Sequence, residues 1–145
     1  MTGIFIGNSS QIMLNWLDRE RSLLYCSLHG QCDWRDFIAA LRRCYQVSRR
    51  SPHRIDIVMD LSNVQWIPCE TAFQDTRILS PVPRWVSLII AISEDPQVHS
   101  MLAQYRQTDP RIEDHLLGMA NYQEVHQLLK HFTPHAHYLD MLAVQ

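Results

Sequence analysis

Apolar and polar positions along this chain alternate first with a period of two, then switch repeatedly between that period and one near 3.6. Residues Gln11 to Leu17 set Ile12, Leu14 and Trp16 against Met13 and Asn15, the pattern of a half-buried strand. A polar break, Asp18-Arg19-Glu20-Arg21, separates it from Ser22 to Leu28, a second strand rich in Leu, Tyr and Cys. Two strands joined by about four polar residues pair most simply as an antiparallel hairpin. His29-Gly30-Gln31 ends the second of them.

The period then becomes helical. Asp33 is a suitable N-cap, and Trp34, Phe37, Ile38, Leu41 and Tyr45 fall on one face, with Arg35, Arg42, Arg43 and Gln46 on the other. Ser51-Pro52 stops that helix. Arg54 to Leu61 is nearly continuous in Ile55, Ile57, Val58 and Met59, as expected of a strand covered on both faces. After a loop, Pro68 suits the first turn of a helix running roughly from Cys69 to Leu79, which Pro81 and Pro83 close. Arg84 to Ser93 predicts another buried strand, and Asp95-Pro96 opens a helix with the stripe Val98, Met101, Leu102 and Tyr105. A short strand around His115 to Met119 follows. Asn121 and Glu124 have capping-box spacing for a last helix with Val125, Leu128, Leu129 and Phe132 as its buried face.

The resulting order is β-β-α-β-α-β-α-β-α. It predicts a single α/β domain over residues 11–132, with a mixed, mainly parallel β-sheet and about four helices, because each β-α-β step needs a crossover. Residues 133–145 form an apolar tail expected to pack back on the domain or at an interface.

Composition narrows the function classes. The chain has 145 residues, 46% of them hydrophobic, enough to bury one sizeable core. A formal net charge of -2 argues against nucleic-acid binding, which needs clustered Lys and Arg. No apolar run reaches the roughly 18 residues of a membrane span, so no membrane partner is expected. The N-terminal residues lack the basic region of a signal peptide, and cytoplasmic localisation follows as the expectation. The four cysteines show no CxxC spacing and read as reduced thiols. His131, His135 and His137 lie close together, but Pro134 interrupts them and no zinc-finger spacing surrounds them; no metal is expected. The four glycines are scattered singly, no phosphate loop exists, and no cofactor is expected.

The stretch Ile55 to Ala72 carries a family resemblance. With the element order, Asp60-Leu61-Ser62 and the loop aromatic Trp66-Ile67 resemble the STAS-like fold (SpoIIAA-like, anti-sigma-factor antagonist-like) over about Gln11 to Phe132. In that family an Asp-Ser-Ser-Gly turn opens the next helix and a serine there accepts phosphate. Here Pro68, Cys69, Glu70 and Thr71 stand in its place. The whole pattern is closer to a bacterial group of the same fold, in which a Trp-containing first helix (as at Asp33-Trp34) precedes a strand ending in Asp, and a Pro starts the second helix. That group has no agreed activity to transfer.

The resemblance implies a regulatory, protein-binding module without a phosphorylatable serine. Cys69 cannot be a serine-kinase target, and Glu70 already supplies a fixed negative charge. The expected contact surface is Asn63, Gln65, Trp66, Cys69, Glu70 and Thr71, with an unidentified protein partner and a homodimer compatible with exposed strand edges. Trp66 is either an exposed interface anchor or a core residue. Asp60 is expected to fix the turn by accepting loop N–H groups. It lies about 13 Å from Asp56 by strand rise, too far for a carboxylate pair. Two further functions stay open. One is binding of an apolar small molecule between the sheet and its second or third helix. The other is a Cys69-dependent enzyme or redox sensor, since a thiol at a helix N-terminus is acidified; no activating histidine is identifiable, and no catalytic residue is assigned.

Overall fold

A computed structural model describes residues 2–6 and 10–132. The polar break after the first expected strand is a tight reversal. The Asp18 carboxylate accepts the backbone N–H groups of Ser22 at 2.9 Å and Leu23 at 3.0 Å, while Arg21 takes a left-handed φ of 55°. The flanking strands, β2 (Ser10–Trp16) and β3 (Leu23–Cys32), are antiparallel. An additional strand precedes them: β1 (Thr2–Ile6) pairs antiparallel with β2, so the sheet takes in residues before Gln11.

Helix α1 (Trp34–Ser48) starts on Asp33, whose carboxylate accepts from Arg35 N at 2.9 Å and Asp36 N at 3.2 Å. Asp36 returns the bond to the N–H of Asp33, so an aspartate does the work usually given to Glu or Gln in a capping box. Strand β4 (Ile55–Trp66) follows, then β5 (Val86–Ile92), α2 (Pro96–Thr108), the single turn α3 (Pro110–Glu113), β6 (Leu116–Met119) and α4 (Tyr122–Phe132). The capping signals at Asp95 and Asn121 act as the sequence suggests: Asp95 accepts from Gln97 N at 2.9 Å and Asn121 from Glu124 N at 3.0 Å. The Glu124 carboxylate reaches one residue further back, to Ala120 N at 2.7 Å.

The six strands lie in one sheet in the order β1 to β6; β3/β4, β4/β5 and β5/β6 are parallel. This is a single-sheet α/β fold. Alternation along the strands divides the core. Leu24, Cys26, Ile57, Met59 and Ile89 join α1 and α2 on one face. Leu23, Val58, Ile90 and Ile92 meet Val125 and Leu129 of α4 on the other. Close packing is explicit at Gly118 of β6, where an added Cβ would come within 2.8 Å of the His99 ring of α2.

Two departures from the sequence reading shape the functional end. The helix expected from Cys69 to Leu79 does not form: after Trp66 the chain runs through turns to a three-residue 3-10 helix at Thr76–Ile78. Its apolar residues lack a 3.6-residue stripe. Instead Phe73, with φ 66°, drives a fully buried ring between Trp34 of α1 and Tyr105 of α2. The connection between β4 and β5 therefore covers the sheet with a plugged loop instead of a helix. The second departure is in β4, which does not end at Leu61 but continues to Trp66, alongside the last residues of β3.

Candidate functional site

The extension of β4 contains a bulge. The β3/β4 register passes from Ser27↔Asp60 to His29↔Asn63, so β4 advances three residues while β3 advances two. One extra residue inverts the alternation. Without it Trp66, six positions after Asp60, would share the face of Asp60. With it Trp66 joins Leu61 and Val64 in the core under α1 and α2. The candidate residues thus separate into two places.

Asp60 faces α4. It is 5% exposed, and its carboxylate accepts four hydrogen bonds. Ser62 donates through its N–H at 2.9 Å and its hydroxyl at 2.5 Å, Tyr25 donates at 2.8 Å, and Tyr122 of α4 donates to the same oxygen as Tyr25. The two tyrosine oxygens are themselves 2.9 Å apart. Burial pushes the carboxyl up, but the bonds from Ser62, Tyr122 and Tyr25 outweigh it and hold Asp60 below the usual carboxylate range. Both tyrosines are driven the other way, by burial first: Tyr122 further by its bonds to Asp60 and Tyr25, while at Tyr25 the bond to Tyr122 works against burial and the Asp60 carboxylate adds to it. Asp60 closes the bulge through Ser62 and ties α4 to the sheet through the tyrosines. Tyr25 and Tyr122 are 97 positions apart, and only the fold brings them together.

The other candidates gather at the carboxyl ends of the parallel strands. Asn63, Gln65, Cys69, Glu70 and Thr71 are exposed, whereas Trp66 is 8% exposed and packs inward. Its neighbour Ile67 is 46% exposed, one of two large apolar side chains on the described surface that are so open. Ile67 lines a cleft of about 100 Å³ together with Trp34, Trp66, Pro68 and Cys69, and Ser100 and Met101 of α2 complete it.

Cys69 is exposed, and Cys26, Cys32 and Cys44 are buried. The Thr71 hydroxyl, 3.3 Å from the sulfur, holds the thiol below its ordinary range, with Thr71 backbone and, more weakly, Trp34 and Arg35 adding to the effect. Among the described residues no histidine lines the cleft. The expected helix is absent, so the thiol does not sit at the start of a helix of its own; the first turn of α1, with Trp34 and Arg35, is the helix end beside it.

Among the described residues no group of three or more His, Cys, Asp or Glu side chains is placed to hold a metal ion. His135, His137 and the 133–145 tail lie outside the described residues. No described helix is long and apolar enough to cross a membrane. No protein-family model matches the chain, and no curated protein matches it.

Proposed function

We propose that this protein is a non-catalytic protein-interaction module of STAS-like type, acting in the cytoplasm through the surface from Ser62 to Thr71. One observation carries the reading: Ile67 is 46% exposed in a segment where Asn63, Gln65, Glu70 and Thr71 are exposed too, and it lines a shallow cleft at the end of the sheet where α/β folds meet their ligands. Ile67 takes the anchor role, and Trp66 supports it from within. With Cys69 and Glu70 in the turn, binding is constitutive and governed by partner abundance, either a heterologous protein or a second copy of the chain. The cleft that Ile67 lines is several times smaller than the roughly 300–1,000 Å³ of small-molecule sites, which favours a protein partner over an apolar ligand at this surface.

The test is an Ile67→Asp, Glu70→Lys variant, both positions being exposed. It should keep the wild-type circular dichroism spectrum and melting temperature yet lose the proteins that wild type captures from its native lysate. Recovery of the same partners at the same yield would move the surface elsewhere. A ligand of defined mass seen with the native protein by mass spectrometry would favour the small-molecule reading.

A further inference from the structure

Trp34 lines a second depression besides the cleft. Between α1 and the segment carrying Asp75 and Ile78 runs a groove of about 350 Å³, with Trp34, Ile38 and Ile78 as its apolar floor and Arg35, Arg42 and Asp75 at its rim. The two arginines are seven residues apart, on one face of the helix and about 10.5 Å apart along its axis.

The charge of this groove is only partly balanced from within: Arg35 acts on Asp75 through space, more weakly than Arg77 does, and the two arginines outnumber the one carboxylate. Asp75 is already engaged by Arg77, which donates from Nε at 2.9 Å and from Nη2 at 3.2 Å. Arg35 is held by stacking, its Cζ 5.6 Å from the centroid of the Trp34 ring, and Arg42 by the bond from its Nε to the Ser80 hydroxyl at 3.1 Å. Neither is in an ion pair among the described residues. Two guanidinium groups are thus positioned along the α1 side of an apolar floor without a hydrogen-bonded carboxylate among the described residues.

We infer that this groove receives an acidic segment of a partner protein, which seats one aromatic or aliphatic side chain on the Trp34–Ile38–Ile78 floor and pairs flanking carboxylates with Arg35 and Arg42. The inference rests on the reading of the protein as an interaction module and names the chemistry of its partner. Planar guanidinium groups match carboxylates in bidentate pairs. Two fixed cations along an apolar floor suit a peptide better than a nucleic acid, which needs a row of phosphate contacts.

Fluorescence anisotropy of the full chain with a labelled peptide, a central Phe flanked by glutamates, tests this. Binding should weaken about tenfold or more in Arg35→Glu, Arg42→Glu, and equally when the peptide carries Gln for Glu or Ala for Phe. Arg49→Glu, Arg50→Glu makes the same charge change outside the groove and should leave affinity within about twofold. Should the glutamate pair melt early, Arg35→Gln, Arg42→Gln carries the comparison, since it removes charge without reversing it. Unchanged affinity in the groove variants, equal loss in the Arg49/Arg50 control, or tighter binding of a single-stranded oligonucleotide or phosphatidylserine vesicles would overturn the proposal. The titration does not involve Ile67, so its failure leaves the Ile67 surface standing; retention of lysate partners by the Ile67 variant likewise leaves the groove standing.

Discussion

Phe73 lies nearly flat on Tyr105, with ring centroids 4.7 Å apart and planes inclined by 14°. The stack joins the β4–β5 connection to α2, and Trp34 extends it to α1, 4.9 Å from Phe73. It is held against a local cost, because a bulky residue at φ 66° is strained. The two contributions can be separated. Phe73→Ala should cost about 3–5 kcal/mol of stability through the cavity it opens. Phe73→Gly removes even more side chain but also the left-handed penalty, and should be more stable than the Ala variant by about 1 kcal/mol. Urea midpoints at equal m-value measure the difference; an Ala variant as stable as the Gly variant would remove the strain from the account.

Trp66 and Ile67 should behave oppositely although they are adjacent. Trp66→Ala empties a buried position and should destabilise the domain by about 3–5 kcal/mol. Ile67→Ser changes an exposed side chain and should stay within about 0.5 kcal/mol of wild type. Thermal melts of the two variants decide the matter, and similar stability would mean that the bulge does not turn Trp66 inward.

The Asp60 cluster predicts a pH dependence. The folded carboxyl titrates below its unfolded value of about 3.9, because the bonds from Ser62, Tyr122 and Tyr25 overcome the effect of burial. A depressed acid stabilises the fold above its unfolded pKa, and that contribution fades as the pH falls through the folded pKa. Tyr122→Phe deletes one charged hydrogen bond, worth about 1.5–3 kcal/mol. The gap between wild type and variant should be full at neutral pH and narrow below about pH 4. Chemical denaturation across that range measures it, and a gap constant down to strongly acidic pH would assign the loss to packing alone.

What the sequence made legible was local. Asp33, Asp95 and Asn121 announce their helices because capping needs one short polar side chain within three residues of the N–H groups it accepts. The continuous apolar run Ile55 to Met59 marks a strand covered on both faces for an equally local reason. The loop from Ile67 to Leu79 was opaque, because a proline and several apolar residues fit a helix start as well as a loop. What decides against the helix is a tertiary slot for Phe73 between two aromatic rings from α1 and α2. The bulge was equally hidden: the extra residue in β4 is visible only against its partner strand. Asp60 was recognisable as an anchor of its loop through Ser62, but its attachment to α4 depends on tyrosines distant in sequence.

Cys69 gives the remaining test, and it separates acidity from catalysis. Its exposure alone makes it the thiol that iodoacetamide reaches first, with Cys26, Cys32 and Cys44 reacting only as the protein unfolds. Selective labelling therefore does not distinguish a surface thiol from a nucleophile. The pH profile and the limiting rate do. The Thr71 hydroxyl stabilises the thiolate, so the rate should rise at a lower pH than for an ordinary cysteine, and Thr71→Val should move the profile back up. Once fully ionised, the Cys69 thiolate should react no faster than a small free thiolate of the same pKa, since lower pKa brings lower intrinsic nucleophilicity and no described histidine lines the cleft to act as a base. A limiting rate far above that, abolished by a substitution at a cleft residue other than Cys69, would overturn the reading of a pure binding module and restore the enzyme or redox-sensor alternative.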